Sequence, residues 1–371
     1  MKISTITKIL LLALTSQPVF AWNARYVVDA PIRWHSDTNT VGFKLQRSTL
    51  PAGSAQRLAF MDAFNNYNNN PSNIRMRLND DTDWVSVGNA VNEVWFTDND
   101  LVLSGAPAIC ISHFNPFAFG VWNLMESDVV FDSNNNFTPS SAKNLHMFYG
   151  GAARSLRATA SHELGHALGL QHENRLYNIM GDDFSHTYAN GNLLISGRGE
   201  DASEGLVRIY GAAGSVRPDI AITRWKYQGT DGAYSAHQLT DLWINSALTV
   251  PNYVAAPGTR DSGETIYQVT PGQLVWTEFT YENNGPVNLT STVSYYISTN
   301  STITTRDRRV AVSIGQPFNR DTPQTERMMR IRVPADLAPG RYYVGAIVDS
   351  TNSLIEADER NNAAYFPVDV L

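Results

Sequence analysis

One stretch of eleven residues constrains this 371-residue chain more than any other part of it. It runs from His162 to His172 and reads HELGHALGLQH. On a helix, His162 and His166 are four residues apart, so their imidazoles lie on the same face. Gly169 can take a left-handed conformation that ends the helix and turns the chain, which would bring His172 back as a third ligand. Three imidazoles with an open fourth position are typical of a catalytic zinc site, so we expect one zinc ion here.

The residue after the first histidine points to hydrolysis. Glu163 would lie within hydrogen-bonding reach of a zinc-bound water without binding the metal itself. As a general base it would take the proton of that water as the water attacks its substrate, and then pass the proton to the leaving group. The other interpretation is a helix whose surface histidines only form hydrogen bonds, but a chance match to the whole pattern is expected in roughly one chain in 10⁵.

A second motif follows the third histidine. Six residues after His172 the chain reads Asn178-Ile179-Met180-Gly181, which places Met180 eight residues after that histidine, and the segment Asp201 to Gly211 ends in Ile-Tyr-Gly. These motifs, in this order, resemble the matrixin branch of the metzincin zinc peptidases. The resemblance implies that Met180 lies beneath the zinc ligands as a support. Asp182 stands where astacins and serralysins carry a tyrosine, so no tyrosine ligand of that kind is expected.

The resemblance also implies where a substrate would bind. The corresponding strand runs from Ala108 to Phe114 and would pair with an extended peptide by strand addition. An ordinary buried strand is the alternative. The candidate substrate-binding residues are Ala108, Cys110, Ser112 and Phe114.

Three further expectations concern single residues or short loops. An oxygen-rich loop could hold calcium, as in many matrixins, although a solvated loop is the alternative; its candidate ligands are Asp132, Asn134 and Asn136. Cys110 is the only cysteine, so no intrachain disulfide is possible, and we expect it to be a small buried hydrophobic residue and not a latency switch. Glu173 is expected to be a solvated turn carboxylate; the alternative, from the resemblance to astacins, is a pair with the mature N-terminus.

The N-terminus and the composition indicate a compartment. Lys2 and Lys8, the apolar run Ile9 to Leu14 and the small residue Ala21 are typical of a secretory signal at 1–21, with a misread amphipathic helix as the alternative. No apolar run is long enough to span a membrane. A net charge of −7 without a basic cluster argues against nucleic acid as a partner. An export signal with one cysteine favours a bacterial protein that is secreted, with the periplasm as one route.

Residues 22–214 are predicted to form one α+β domain. An amphipathic helix is expected from Ser54 to Asn69 with Ser54 as its cap, and the helix that carries the histidines is expected to start near Gly151. Leu156, Ala160, Leu164 and Leu168 would pack on the face opposite the histidines. Short strand signals lie at Val41 to Leu45, Ile74 to Leu78, Glu93 to Thr97, Ala108 to Phe114 and Asp128 to Phe131.

Residues 215–371 change in character. Short alternating runs separated by turns such as Asn284-Gly285 predict an all-β immunoglobulin-like sandwich. The segments Thr280 to Gly285 and Glu356 to Asn362 resemble the bacterial adhesion-associated family called CARDB. This resemblance implies a cell-surface or matrix target for the second domain.

The leading hypothesis is a secreted zinc metalloendopeptidase that hydrolyses extracellular proteins. Two alternatives remain: an adhesion or binding protein with a non-catalytic zinc site, and a zinc exopeptidase, which would need a closed pocket with a charge to hold a terminus. A chain without residues 215–371 is expected to keep its cleavage of a small peptide nearly intact and to bind a large target less well.

Overall fold

The computed structural model describes residues 26–27, 30–35, 39–116, 122–244, 249–250, 264–320 and 325–371. The signal predicted at 1–21 lies outside these residues. Among the described residues, no helix has both the length and the apolar character needed to cross a bilayer.

The first part of the chain is a mixed α+β unit. In chain order its strands are β1 (Tyr26–Val27), β2 (Ala30–Pro31), β3 (Thr40–Leu45), β4 (Arg75–Leu78), β5 (Asn92–Thr97), β6 (Ala108–Pro116), β7 (Trp122–Asp132), β8 (Phe137–Thr138), β9 (Arg154–Ser155), β10 (Tyr188–Asn190) and β11 (Leu193–Ile195). Its helices are α1 (Ala55–Asn68), α2 (Asp100–Leu103), α3 (Leu156–Ala167) and α4 (Gly199–Tyr210), with short 3-10 turns at Lys143–Leu145 and Met147–Tyr149.

A five-stranded sheet supports this unit. Its order is β4-β3-β5-β7-β6, and all neighbours are parallel except β6, which runs antiparallel to β7 at one edge. Helices α1 and α3 pack together, and α3 also contacts β6 and β7. Ser54 caps α1 as expected, because its side chain accepts a hydrogen bond from the backbone N–H of Arg57 (3.2 Å).

The helix that carries the histidines starts later than expected. Helix α3 begins at Leu156 and not near Gly151, because Arg154 and Ser155 pair with β8 as strand β9. The Ser155 side chain then caps the helix by accepting from the N–H of Ala158 (3.2 Å). The predicted apolar stripe of α3 is confirmed; its members are fully buried and comprise Leu156, Ala160, Leu164 and Leu168.

The remainder of the chain is all β. Its strands are β12 (Ile220–Thr223), β13 (Trp225–Asp231), β14 (Tyr234–Leu239), β15 (Leu242–Trp243), β16 (Tyr267–Val269), β17 (Leu274–Asn283), β18 (Leu289–Ser298), β19 (Arg308–Phe318), β20 (Thr325–Arg332), β21 (Gly340–Ile347) and β22 (Ala363–Val370). One sheet is formed by β12, β15, β17 and β20, and the other has the order β16-β22-β21-β18-β19. An apolar core fills the space between them, so the predicted order of an α+β domain followed by a β-sandwich is confirmed.

The two parts share a buried polar interface. The side chain of Arg198, which is 1% exposed, donates to the backbone oxygens of Asn66 (2.7 Å) and Asn284 (2.9 Å) and pairs with Asp219 (3.4 Å). Tyr188 donates to the Glu282 carboxylate across the same boundary. These buried groups hydrogen-bond to each other across the boundary, so removal of the second part would leave those of the first without partners. The structure therefore does not support the expectation that the first domain stays active without the second.

A separate hairpin lies between the first unit and the sandwich. It consists of β13 and β14, which pair only with each other, with a bulge between Tyr227 and Gly229. Trp225, at its base, donates from its indole nitrogen to the Tyr149 hydroxyl (2.9 Å). The hairpin therefore contacts the first unit, although in the sequence it follows that unit's last helix.

Candidate metal centre

Helix α3 presents the first two histidines to a common point. The Nε2 atoms of His162 and His166 are 3.2 Å apart. The ligand atoms of His162, His166 and His172 all lie within 4.8 Å of one another, and the described residues contain no other cluster of this kind. Zinc–nitrogen bonds of about 2.0–2.1 Å in a tetrahedral site place two nitrogens about 3.3 Å apart. The first two histidines therefore have the separation that one zinc ion requires.

The hydrogen bonds of the two helix histidines determine their tautomers. Nδ1 of His162 faces the carbonyl oxygen of Ile179 (2.6 Å), and Nδ1 of His166 faces that of Leu170 (2.8 Å). A carbonyl oxygen can only accept, so each Nδ1 carries the proton and each Nε2 carries a lone pair. Two lone pairs that point at each other across 3.2 Å repel unless a cation lies between them. The donor set therefore fits a zinc ion.

Burial keeps the imidazoles in the form that binds metal. Desolvation lowers the pKa of His162, and desolvation together with His162 lowers the pKa of His172 to about 4. Both rings are therefore neutral at physiological pH, as metal ligation requires.

Two glycines shape the chain around the ligands. A Cβ on Gly165 would lie 2.3 Å from the Met180 sulfur and 2.8 Å from the Tyr67 hydroxyl, so Met180 packs directly against the middle of α3. Gly169 has φ of +96°, which confirms the left-handed turn predicted after the helix. The packing of Met180, 1% exposed, agrees with the supporting position expected from the sequence.

The end of α3 is held by residues far away in sequence. Trp34 donates from its indole nitrogen to the carbonyl of Ala167 (2.9 Å), and Tyr210 donates from its hydroxyl to the carbonyl of Leu168 (2.8 Å). These bonds satisfy carbonyl groups that a helix end leaves without intrahelical partners. The Ile-Tyr-Gly end of α4 therefore helps to fix the turn that leads to His172.

Glu163 is buried beside the three histidines. Its pKa is raised to about 8 by burial and by the Asp183 carboxylate, while the backbone N–H of Cys110, which hydrogen-bonds to it, lowers the value. A cation on the three imidazoles would favour the ionised form. Glu163 also lines two cavities, of about 300 and 320 Å³, that meet at this centre.

Comparison with known families agrees with this geometry. The model of the matrixin peptidase family matches residues 33–211. Residues 33–211 form a matrixin-like domain. The match spans every residue of the site described above. Since matrixins are zinc metallopeptidases, a zinc-dependent peptidase is the activity that this domain supports.

The other comparisons concern the whole chain or the sandwich. No curated protein has a sequence that matches this chain. Among solved structures, the CARDB domain of a Pyrococcus furiosus protein in complex with di-metal ions is 19% identical, with a TM-score of 0.24, over 42% of this chain and 90% of that one. A domain of a Methanosarcina acetivorans protein is 17% identical, with a TM-score of 0.20, over 35% of this chain and 91% of that one. These scores carry no functional argument.

The predicted substrate strand forms an edge of the matrixin domain. Strand β6 pairs with β7 on one side, and on the other the N–H of Cys110 points towards Glu163. Ala108, Cys110 and Ser112 line the first cavity. Phe114 does not line either cavity and instead packs edge-on against Trp122, with ring centroids 5.6 Å apart. Cys110, which was expected to be a small buried hydrophobic residue, is buried only in part: it packs against the apolar core and also lines the first cavity.

The oxygen-rich loop is closed by its own hydrogen bonds. Asp132 accepts from the backbone N–H of Asn134 (2.8 Å), and the Asn136 side chain donates to the carbonyl of Ala152 (3.0 Å). These contacts describe a turn that holds the loop against the start of β9. Calcium binding at Asp132, Asn134 and Asn136 stays a prediction.

Glu173 is not the solvated carboxylate that its position in a turn predicts. It is 2% exposed and accepts from the backbone and side chain of Arg175, with the shorter carboxylate–guanidinium contact at 2.5 Å. Its own N–H donates to the carbonyl of Met180 (3.2 Å). Glu173 therefore ties the loop after the third histidine to the turn that carries Met180.

One residue of the site lies outside every motif. The ring of Tyr234, on hairpin strand β14, packs against the His172 ring with centroids 4.0 Å apart. Tyr234 lies beyond the residues that match the matrixin family. No local pattern distinguishes it from the other tyrosines of the chain, so only the fold identifies it.

Proposed function

We propose that the protein is a secreted zinc-dependent metalloendopeptidase that hydrolyses peptide bonds in extracellular proteins. The observation that carries the proposal is the pair of Nε2 lone pairs of His162 and His166, 3.2 Å apart, with the buried Glu163 beside them. Zinc bound there supplies a Lewis acid that acidifies a water and polarises the scissile carbonyl.

Glu163 then acts as the general base and acid. It accepts the proton of the attacking water while the new carbon–oxygen bond forms. It then delivers that proton to the amine nitrogen as the carbon–nitrogen bond breaks. The N–H of Cys110, which donates to the carboxylate, orients Glu163 towards the cleft beside β6.

The edge position of β6 favours an endopeptidase. An extended peptide can add to this strand, with main-chain hydrogen bonds along it and side chains in the flanking cavities. Both cavities adjoin the centre, so substrate residues on each side of the scissile bond have space. An internal segment of an unfolded protein fits this arrangement.

Export and targeting are parts of the same proposal. We infer that 1–21 is removed on export, since its residues match a secretory signal. The sandwich is proposed to bind a cell-surface or matrix target and hold the matrixin domain near its substrates. Mass spectrometry of the protein from culture medium tests the first point, because its mass should correspond to a chain that starts at Trp22.

Cleavage of an unstructured protein tests the catalytic proposal. We expect the mature chain to cleave casein, to lose activity with a chelator, and to regain it with zinc. Glu163→Gln should lower kcat by a factor of about 10² to 10⁴ while zinc content is unchanged. Glu359→Gln, on the exposed surface of the sandwich, makes the same chemical change and should keep full activity.

If neither wild type nor Glu163→Gln degrades casein at full zinc occupancy, the catalytic proposal is wrong and a binding protein with a non-catalytic zinc site is supported. If the two proteins degrade casein equally, catalysis through Glu163 is wrong.

A further inference from the structure

The hairpin β13–β14 places the aromatic residue Tyr234 beside the three histidines. The Tyr234 ring lies 4.0 Å from the His172 ring at an interplanar angle of 36°, and 6.3 Å from the His162 ring at 22°. Tyr234 is 44% exposed, so one side of the ring packs on histidine while the rest faces the cavities. Its side chain is therefore accessible to a bound substrate.

The hairpin is fixed to the loop that follows the third histidine. Asn174 donates from its side chain to the carbonyl of Gly232 (2.8 Å), and Thr230 donates to the carbonyl of Asn174 (3.2 Å). These bonds join the hairpin tip to the segment immediately after His172. Tyr234 is therefore positioned relative to the histidines by backbone contacts and not by its own ring alone.

A second set of contacts joins the hairpin to the turn beneath the ligands. A Cβ on Gly181 would lie 1.7 Å from the Ser235 hydroxyl oxygen, so no side chain fits between them. Ser235 in turn hydrogen-bonds to His237 (2.7 Å), whose other ring nitrogen contacts the Ser185 hydroxyl (2.9 Å). Ser235, the residue next to Tyr234, is therefore held in contact with the matrixin domain.

Tyr234 stands where the two cavities meet. Both cavities are lined by Tyr234 and Glu163 together with Ala108 of β6. The first continues along β6 towards Ser112, and the second continues away from β6 between Asp183 and Ser235. A peptide that passes from one cavity into the other has its central bond beside Glu163 and Tyr234.

We propose that Tyr234 is a catalytic residue of this peptidase and that its hydroxyl donates a hydrogen bond to the oxygen of the scissile carbonyl. The inference rests on the function proposed above. As the water oxygen bonds to the carbonyl carbon, the carbonyl π pair moves onto that oxygen, and Glu163 takes the water proton. The phenolic proton stays on Tyr234 throughout. When the carbon–nitrogen bond breaks, the pair returns to the carbonyl and the proton on Glu163 goes to the amine.

A phenol in this position is suited to donation. Its ordinary pKa is about 10, so it carries its proton at physiological pH. A donor aimed at a developing oxyanion acts most strongly in the transition state, because the charge is largest there. The hydroxyl should therefore affect the rate of the chemical step more than the binding of substrate.

The test variant removes only the hydroxyl. Tyr234→Phe keeps the ring against His172, so the zinc content and the melting temperature should equal those of wild type. We expect kcat on a fluorogenic peptide to fall about 10- to 100-fold, with KM within about twofold. The control is Tyr227→Phe on the same hairpin, whose hydroxyl contacts Thr230 away from the cleft and whose loss should leave kcat unchanged.

Inhibitor binding provides a measurement that does not depend on turnover. A phosphinic peptide carries a charged tetrahedral group in place of the scissile bond, so its affinity for Tyr234→Phe should fall by the same factor as kcat/KM. A reduced-amide peptide of the same sequence has no oxygen at that position and should bind both proteins equally. Calorimetry of the zinc-loaded proteins measures both.

Three outcomes overturn the inference: unchanged kcat in Tyr234→Phe, a raised KM at unchanged kcat, or a lower zinc content that accounts for the lost activity. Failure of the proposed function would give a different result, namely a wild type that is no more active than Glu163→Gln.

Discussion

The α3 segment and the β13–β14 hairpin contribute to the same centre in opposite ways. Within α3 and the turn after it, three histidines and Glu163 lie in eleven consecutive residues, so a helix and one glycine turn suffice to gather them. The hairpin supplies Tyr234 from beyond the closing helix α4, and this residue reaches His172 only because the chain folds back. The first part of the site depends on local geometry, whereas the second depends on how two structural units pack.

Deleting residues 215–371 tests that dependence with the largest expected effect. The deletion removes the hairpin and exposes polar groups of the matrixin domain that the sandwich now satisfies, including Arg198 and Tyr188. We expect the fragment 22–214 to show no cooperative thermal transition by circular dichroism. A fragment with the melting temperature and peptide cleavage of the full chain would show that the interface is dispensable.

Arg198→Ala tests the interface through one side chain. It leaves the buried carboxylate of Asp219 without its guanidinium partner, and it removes one donor from each of the carbonyls of Asn66 and Asn284. We expect a loss of about 3–5 kcal/mol in the free energy of unfolding, measured by urea titration. Arg217→Ala, a nearby exposed arginine, should change it by less than about 0.5 kcal/mol; equal losses in the two variants would contradict the interface argument.

Gly165→Ala tests the local part of the site. The new methyl group would overlap the Met180 sulfur and the Tyr67 hydroxyl, so α3 must shift or the methionine must move. We expect a loss of about 1–3 kcal/mol in stability, together with weaker zinc binding in a chelator competition. The matched control is Gly214→Ala, where nothing lies within 4 Å of the new atom, and a similar loss there would exclude the packing explanation.

Gly181→Ala tests the contact between the hairpin and the turn that carries Met180. Its methyl group would collide with the Ser235 side chain, at a cost of about 1–2 kcal/mol. Because the obstacle is a side chain, Ser235→Gly should relieve much of this cost. The double variant should be more stable than the sum of the two single effects by about 1 kcal/mol in a double-mutant cycle. Strict additivity would mean that the two residues do not touch in solution.

Much of the fold could be predicted because its signals are local. The cap of α1 at Ser54 and the left-handed turn at Gly169 follow from side-chain and backbone preferences within a few residues, and both are confirmed. The start of α3 could not be predicted from local preference, because Arg154 and Ser155 pair with β8, a contact between separate segments. Glu173 was misjudged for the same reason: its burial depends on how the loop after His172 packs against the turn that carries Met180.

The sequence alone determined which residues can bind zinc and which can move a proton. His162 and His166 are four residues apart and therefore lie on one face of a helix, and Glu163 directly follows the first of them. It also determined the order of an α+β domain and a sandwich, because periodicity of hydrophobic residues is a local property. The tertiary structure decided which nitrogen of His162 carries the lone pair, because the carbonyl of Ile179 comes from a segment that folds against the helix, whereas the carbonyl of Leu170, which does the same for His166, is only four residues away. It also decided that Tyr234 belongs to the site, since only packing of the hairpin against the matrixin domain brings so distant a residue to His172.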